Sequence, residues 1–191
     1  MTEEPPIVVG VSGASGAPIA IRVLKALREA HMTVSLVVSE GARTVLREEC
    51  DLDADALRPW ATQLYSDDDL AAPIASGSTS TRGMVVVPCS GNTAAKIALG
   101  LADTLLTRAA AVHLKERRRL IVVPRETPLS TTFLRNLTTL SELGAVVLVA
   151  SPAYYLRPKS VEETTDYLAG KILDYLGVAH QLYRGWKAGT A

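Results

Sequence analysis

The segment Gly10-Val11-Ser12-Gly13-Ala14-Ser15-Gly16 sets three glycines and two serines between an apolar run, Ile7-Val8-Val9, and a helix-like run that opens at Ala17. A buried strand that turns sharply into a helix aims backbone N–H groups and a positive dipole end at one point, which suits a phosphate. Gly13 and Gly16 permit the turn, and Ser12 and Ser15 add hydroxyl donors. The glycines fall three apart throughout, so this is not the dinucleotide fingerprint G-x-G-x-x-G. The loop alone fits either the phosphate of a nucleotide or cofactor, or a strand-to-helix turn with no ligand. Arg125-Glu126 is sharper, because a charged pair directly after a buried strand is expensive unless it meets a partner or a ligand. The planar fork of Arg125 suits a phosphate. Glu126 beside a phosphate dianion would hold a proton and could donate it to a leaving phosphate. A mutual salt bridge at a sheet rim is the plainer reading.

Weaker signals surround these two. Ser90, Gly91, Asn92 and Thr93 open a helix, and they suit either a second polar portion of a ligand or ordinary capping by Ser90. Arg108 and Lys115 stand seven apart on one helix face, with Lys115 open to an anionic substrate. Arg117 to Arg119 read as a solvated helix end. Tyr155 and Lys171 fit an anion site or the surface equally well. His31 and His113 lack a neighbouring carboxylate or serine for a proton relay and read as structural. Cys50 and Cys89 read as space-filling thiols.

The elements that must position these groups follow from periodicity. Near-continuous apolar runs over 7–12, 33–39, 84–88, 120–124 and 145–150 predict strands covered on both faces. Helical patterns over 17–30, 41–49, 92–99, 104–117, 130–143 and 161–176 alternate with them. Such alternation predicts right-handed crossovers, hence an α/β fold with a mainly parallel sheet and helices on both faces. In such a sheet the ligand lies at the carboxyl ends of the strands. All five predicted strand ends carry polar, turn-forming or charged residues, among them Ser12 to Gly16, Ser39, Ser90 and Arg125. Segment 51–83, acidic and then rich in Ser, Thr and Gly, predicts a long excursion near the ligand or a solvated loop.

Composition narrows the class. At 191 residues the chain predicts a single domain, with 1–6 and 179–191 as terminal extensions. Apolar residues are 48% and charged residues 21%, as in ordinary globular proteins. Twenty basic residues balance twenty acidic ones, which gives no ground for nucleic acid or an anionic membrane as partner. Two cysteines without C-x-x-C spacing read as reduced thiols of a cytoplasmic protein. The acidic start Met1-Thr2-Glu3-Glu4 reads as carrying no signal peptide. Three scattered histidines argue against a metal site. Little charge over 94–108 suggests a helical surface buried against another subunit. The tail from His180, with Tyr183 and Trp186, is expected to pack on a neighbour or fray.

Assembled, these pieces resemble the UbiX family of flavin prenyltransferases. The resemblance rests on Ser12-Gly13-Ala14-Ser15-Gly16, Ala75-Ser76-Gly77-Ser78, Gly83-Met84-Val85-Val86-Val87-Pro88-Cys89-Ser90, Arg108-Ala109-Ala110, Leu114-Lys115-Glu116-Arg117-Arg118, Pro124-Arg125-Glu126-Thr127-Pro128-Leu129 and Pro152-Ala153-Tyr154-Tyr155. They keep their order over about residues 7–178. The resemblance implies a flavodoxin-like three-layer sandwich and metal-independent transfer of a dimethylallyl group from dimethylallyl monophosphate to N5 and C6 of reduced FMN. The product, prenylated FMN, would serve UbiD-type decarboxylases, and the family suggests a homododecamer. By position, Gly13, Ala14, Ser15, Ser39, Ser90, Gly91, Asn92, Thr93 and Arg125 would bind FMN. Lys115, Arg125, Glu126, Tyr155 and Lys171 would hold the prenyl phosphate, with Glu126 as the acid and Lys115 assisting. Glu49 and Ser15 would assist proton movement near the reacting edge of the flavin. Where some members carry an aromatic residue before the Ala-Ser-Gly-Ser segment, this chain has Leu70. It also has Phe133-Leu134 for His-Leu, and Lys171 for Arg. Two other functions compete with this one: an FMN-dependent cysteine decarboxylase, and a non-catalytic FMN carrier or accessory subunit of a decarboxylase.

Overall fold

In the computed structural model, which describes residues 4–185, the five apolar runs form strands β1 (Ile7–Val11), β2 (Val34–Val38), β4 (Gly83–Cys89), β5 (Leu120–Pro124) and β6 (Val146–Val147). A sixth, β3 (Gln63–Tyr65), lies inside the segment expected to be a loop. It has three residues, and none is fully buried, because it pairs at the sheet edge with β2 alone. The order is β3-β2-β1-β4-β5-β6, and every pairing is parallel. This is the flavodoxin-like order with one short strand added outside β2. The chain continues beside β5 past β6, with the N–H of Leu148 on the Val122 carbonyl and that of Ala150 on the Pro124 carbonyl.

Six helices cover the sheet: α1 (Ala17–Glu29), α2 (Glu40–Cys50), α3 (Gly91–Ala98), α4 (Leu105–Lys115), α5 (Thr131–Glu142) and α6 (Val161–Leu176). The two-residue period of the strands sorts them into layers. Ile7, Val9, Val11, Leu36, Val85, Val87, Ile121 and Val123 pack against α1, α2 and α6. Val8, Val37, Met84, Val86, Leu120 and Val122 face α3, α4 and α5. Both faces of β1, β4 and β5 are thus dry, which is why these strands read as unbroken apolar runs. Cys89 lies in the second layer, and complete burial pushes its thiol up to about 12, leaving it inert.

Chain order changes direction between β1 and β4, whose carboxyl ends open a crevice. Four of the helices reached from that rim start on a serine. Ser39, Ser90, Ser130 and Ser160 accept N–H bonds from Ala42, Thr93, Phe133 and Glu163, and Thr104 caps α4 in a reciprocal box with Thr107. α3 stops at Ala98, and Leu99 and Leu101 of the following turn are exposed. Residues 180–183 fold back onto α6, where His180 and Tyr183 both bond Asp174. Trp186 lies outside the described residues.

Candidate active site

Ser12 ties the two crevice strands together. Its buried hydroxyl donates to the Pro88 carbonyl at 2.9 Å and accepts the Ser90 N–H at 2.8 Å. The next residue, Gly13, runs against the start of α2. A Cβ there would lie 2.9 to 3.2 Å from backbone atoms of Gly41, so no other residue fits without moving that helix. Gly16 has φ of 122°, a conformation that side chains disfavour. The loop from Gly13 to Gly16 is therefore shaped by close backbone approach at one end and by a left-handed glycine at the other.

The N–H groups that open α1 are not aimed at an open phosphate site. The Glu49 carboxylate accepts them, from Gly16 at 2.9 Å and Ala17 at 2.9 Å. This corrects the expectation that the first helix start is the phosphate point, and the cause is an acid 33 positions along the chain that fills it. Enclosure pushes the Glu49 carboxyl up, but bonds from the Ser15 hydroxyl and the two N–H groups, with Arg125 nearby, outweigh it and hold it below its usual range. Arg125 Nε in turn donates to the Ser15 carbonyl at 3.1 Å. Ser15, Glu49 and Arg125 thus converge from β1, α2 and β5 on one point.

At the other end of the loop a cavity of about 330 Å³ is bordered by Gly13, Ser39, Ser90, Asn92, Thr93 and Lys96. The starts of α2, α3 and α4 meet at it, since Thr104 and Thr107 also line it. The N-termini of α2 and α3 and a lysine make this the anion-attracting part of the rim, while the α4 start is taken up by Asp67 and Thr104. Lys96 Nζ is held by Asp103 at 2.7 Å. Asp67, on the same wall, accepts the Leu106 N–H at 2.9 Å, and burial raises its carboxyl above the ordinary value. Sequence reasoning missed Lys96 and Asp67. The signal for Lys96 was its position four after Asn92, on the same face of α3.

The remaining expected residues fall into three places. Glu126 stands exposed at the end of β5, with Oε1 accepting the Thr127 N–H at 3.1 Å. Tyr155, on a 3-10 turn (Tyr154–Leu156), is hydrogen-bonded to Tyr167 of α6, one turn before Lys171. Lys171 pairs with Asp174 at 3.3 Å. Lys115 ends α4 just before β5 begins, so it sits at the amino-terminal rim, across the sheet from Arg125 and Glu126. There it pairs with Glu116 at 2.5 Å, packed over Gly77. Leu70 is half exposed near the start of α4. His113 is fully buried, bonded to the Ala109 carbonyl and the Thr81 hydroxyl.

Known proteins resemble this chain in sequence and in fold. The family model described as Flavoprotein matches residues 1–180. A flavin prenyltransferase UbiX of Thermoplasma acidophilum is 54% identical over 180 residues, covering 94% of this chain and 99% of its own. The crystal structure of AnUbiX in complex with FMN and dimethylallyl pyrophosphate superposes with a TM-score of 0.93 at 40% identity, covering 96% of this chain and 97% of that one. The dodecameric FMN-dependent UbiX-like decarboxylase from Escherichia coli O157:H7 superposes equally well, also at 40% identity, over 95% and 99% of the two chains.

Proposed function

This chain belongs to the flavoprotein family and, within it, to the UbiX flavin prenyltransferases, and from that membership we propose that it joins a dimethylallyl group from dimethylallyl monophosphate to N5 and C6 of reduced FMN. What carries the reading is the end of β5, where Arg125 braces the Ser15 carbonyl while Glu126 beside it is exposed at the same rim. A carrier that merely held flavin would need no proton donor there.

The residues fit FMN. Gly13, Ser39, Ser90, Asn92 and Thr93, with Lys96, line the cavity where the N-termini of α2 and α3, the latter opening at Gly91, would receive its phosphate. Ala14 and Ser15 lead from there to Arg125 and Glu49, which would face the ring system. Reduced FMN, when bound, supplies the electron-rich ring that captures an allyl cation. Glu126 would hand its proton to the departing phosphate, and Arg125 would balance the charge that develops there. Glu49 and Ser15 would hold and move a proton at the ring edge. Tyr155, Lys171 and Lys115 would grip the donor phosphate. Lys115 lies at the far rim of its own chain, so in this reading it reaches the site from another subunit of a homododecamer.

The entire chain acts as one flavoprotein domain, and prenylated FMN passes to a UbiD-type decarboxylase. Free thiols at Cys50 and Cys89 suit a cytoplasmic setting. No helix among the described residues is long and apolar enough to cross a membrane.

Anaerobic incubation with reduced FMN and dimethylallyl monophosphate, followed by mass spectrometry, tests the proposal. A flavin heavier by one five-carbon unit is expected. Bound but unaltered flavin would favour the carrier, and adduct formed faster from the pyrophosphate would reassign the donor.

A further inference from the structure

Asp174, exposed on α6, gathers three donors that lie on different parts of the chain. Lys171 Nζ reaches Oδ2 at 3.3 Å, the Tyr183 hydroxyl also bonds Oδ2, and His180 Nε2 reaches Oδ1 at 3.0 Å. His180 Nδ1 accepts the Leu182 N–H at 3.1 Å, so the neutral ring carries its proton on Nε2 and donates to Asp174. The two rings press onto the helix backbone at Gly170, where a Cβ would lie 2.6 Å from Tyr183 Cδ1 and 2.8 Å from His180 Cε1. Lys171 Nζ is flanked by the Tyr175 and Tyr183 rings at 5.8 and 5.9 Å from their centroids. It opens onto a groove of about 260 Å³ between β6 and α6.

We infer that Asp174 is a positioning residue for Lys171, held in place by Tyr183 and His180 of the returning C-terminal segment. The inference rests on the proposal that Lys171 grips the donor phosphate. A free lysine explores many rotamers, and ordering it at the moment of binding weakens capture. Asp174 fixes the rotamer beforehand. Its own charge would oppose a phosphate, but Tyr183 and His180 donate to the same carboxylate and absorb much of that charge. Orientation therefore outweighs repulsion, and loss of Asp174 weakens donor capture without touching the flavin.

The test is anaerobic steady-state adduct formation against dimethylallyl monophosphate, with FMN affinity followed by fluorescence. In Asp174→Asn the KM for the donor should rise about fivefold to tenfold. Its kcat should stay within about twofold and its FMN affinity should be unchanged. Asp174→Glu should recover part of the loss, and adding Asp174→Asn to Lys171→Ala should raise KM no further. An unchanged KM in Asp174→Asn, or full additivity with Lys171→Ala, overturns the inference. Should Asp174→Asn fail to fold, Tyr183→Phe replaces it. A smaller KM rise there supports the inference, and none overturns it. If Lys171→Ala itself leaves KM unaltered, the assignment of Lys171 falls and the inference with it. A raised KM in Lys171→Ala beside a silent Asp174→Asn defeats the inference alone.

Discussion

Glu126 and Glu49 are both carboxylates at the rim, and their surroundings give them different work. Glu126 is exposed beside Arg125 and bonds only its neighbour's N–H among the described contacts. Its proposed task is to protonate a leaving phosphate, so Glu126→Gln should bind FMN normally yet form adduct about 100-fold more slowly in single-turnover assays. Glu49 is committed to the Gly16 and Ala17 N–H groups. Because its pKa in the folded chain is depressed, that grip is fully present above the ordinary carboxylate range and is lost as pH falls through the depressed value. Glu49→Gln should therefore speed amide hydrogen exchange at Gly16 and Ala17 at neutral pH, and lowering the pH should reduce the protection of both amides in the native protein relative to their intrinsic exchange rates. Unchanged exchange in the variant would mean the loop holds its shape without the carboxylate. Periodicity gave no sign of this pairing, because hydrogen bonds between residues 16 and 49 leave no periodic trace, and only the family resemblance set Glu49 beside Ser15. Arg125-Glu126 was legible for the opposite reason: a charged pair at the end of the buried run Leu120-Ile121-Val122-Val123-Pro124 is costly unless it meets a partner or a ligand.

Among elements, the strands that the chain announces are those buried on both faces. β1, β4 and β5 could be read because every residue must be apolar there, whereas Gln63-Leu64-Tyr65 could not. An edge strand of three residues carries too few side chains to show a period. Helix starts were legible where a serine precedes the run, as at Ser90, Ser130 and Ser160. What joins β1 to β4 was not. The Ser12 hydroxyl bonds both Pro88 and Ser90 from a fully buried position, so Ser12→Ala would leave the Ser90 N–H without its partner, remove one of the two bonds on the Pro88 carbonyl and widen the crevice. A loss of about 1–3 kcal/mol in urea unfolding is expected, together with weaker FMN binding. A stability equal to that of the native chain would show that water replaces the hydroxyl without consequence.

For the whole molecule, the parallel topology separates groups that the chemistry needs together. α4 must carry the chain from the carboxyl end of β4 to the amino end of β5, so Lys115 finishes on the wrong side of its own sheet. If it serves a neighbouring subunit, Lys115→Ala and Glu126→Gln are each nearly inactive alone but complement when mixed and reassembled. Random mixing would leave about one quarter of the sites intact, and activity should recover to about that level. No recovery would return Lys115 to a structural role. His113 gives a second global signature. Burial lowers its pKa, so the folded chain refuses a proton that the unfolded chain accepts. Stability is thus full above the ordinary histidine range and declines below it, by at most about 1.4 kcal/mol per pH unit. His113→Gln should flatten this acid slope in thermal melts, whatever its effect at neutral pH.

The Gly13–Gly16 loop lies near the start of the chain, yet it leans on Gly41 and Glu49, hangs from Pro88 and Ser90 through Ser12, and is braced by Arg125. During synthesis, then, the first-made part of the pocket is among the last to take its working shape. A nascent chain stalled before β5 would display the loop's glycines without the architecture that gives them meaning. Flavin would have nothing rigid to hold until Arg125 itself had been made and had reached the loop.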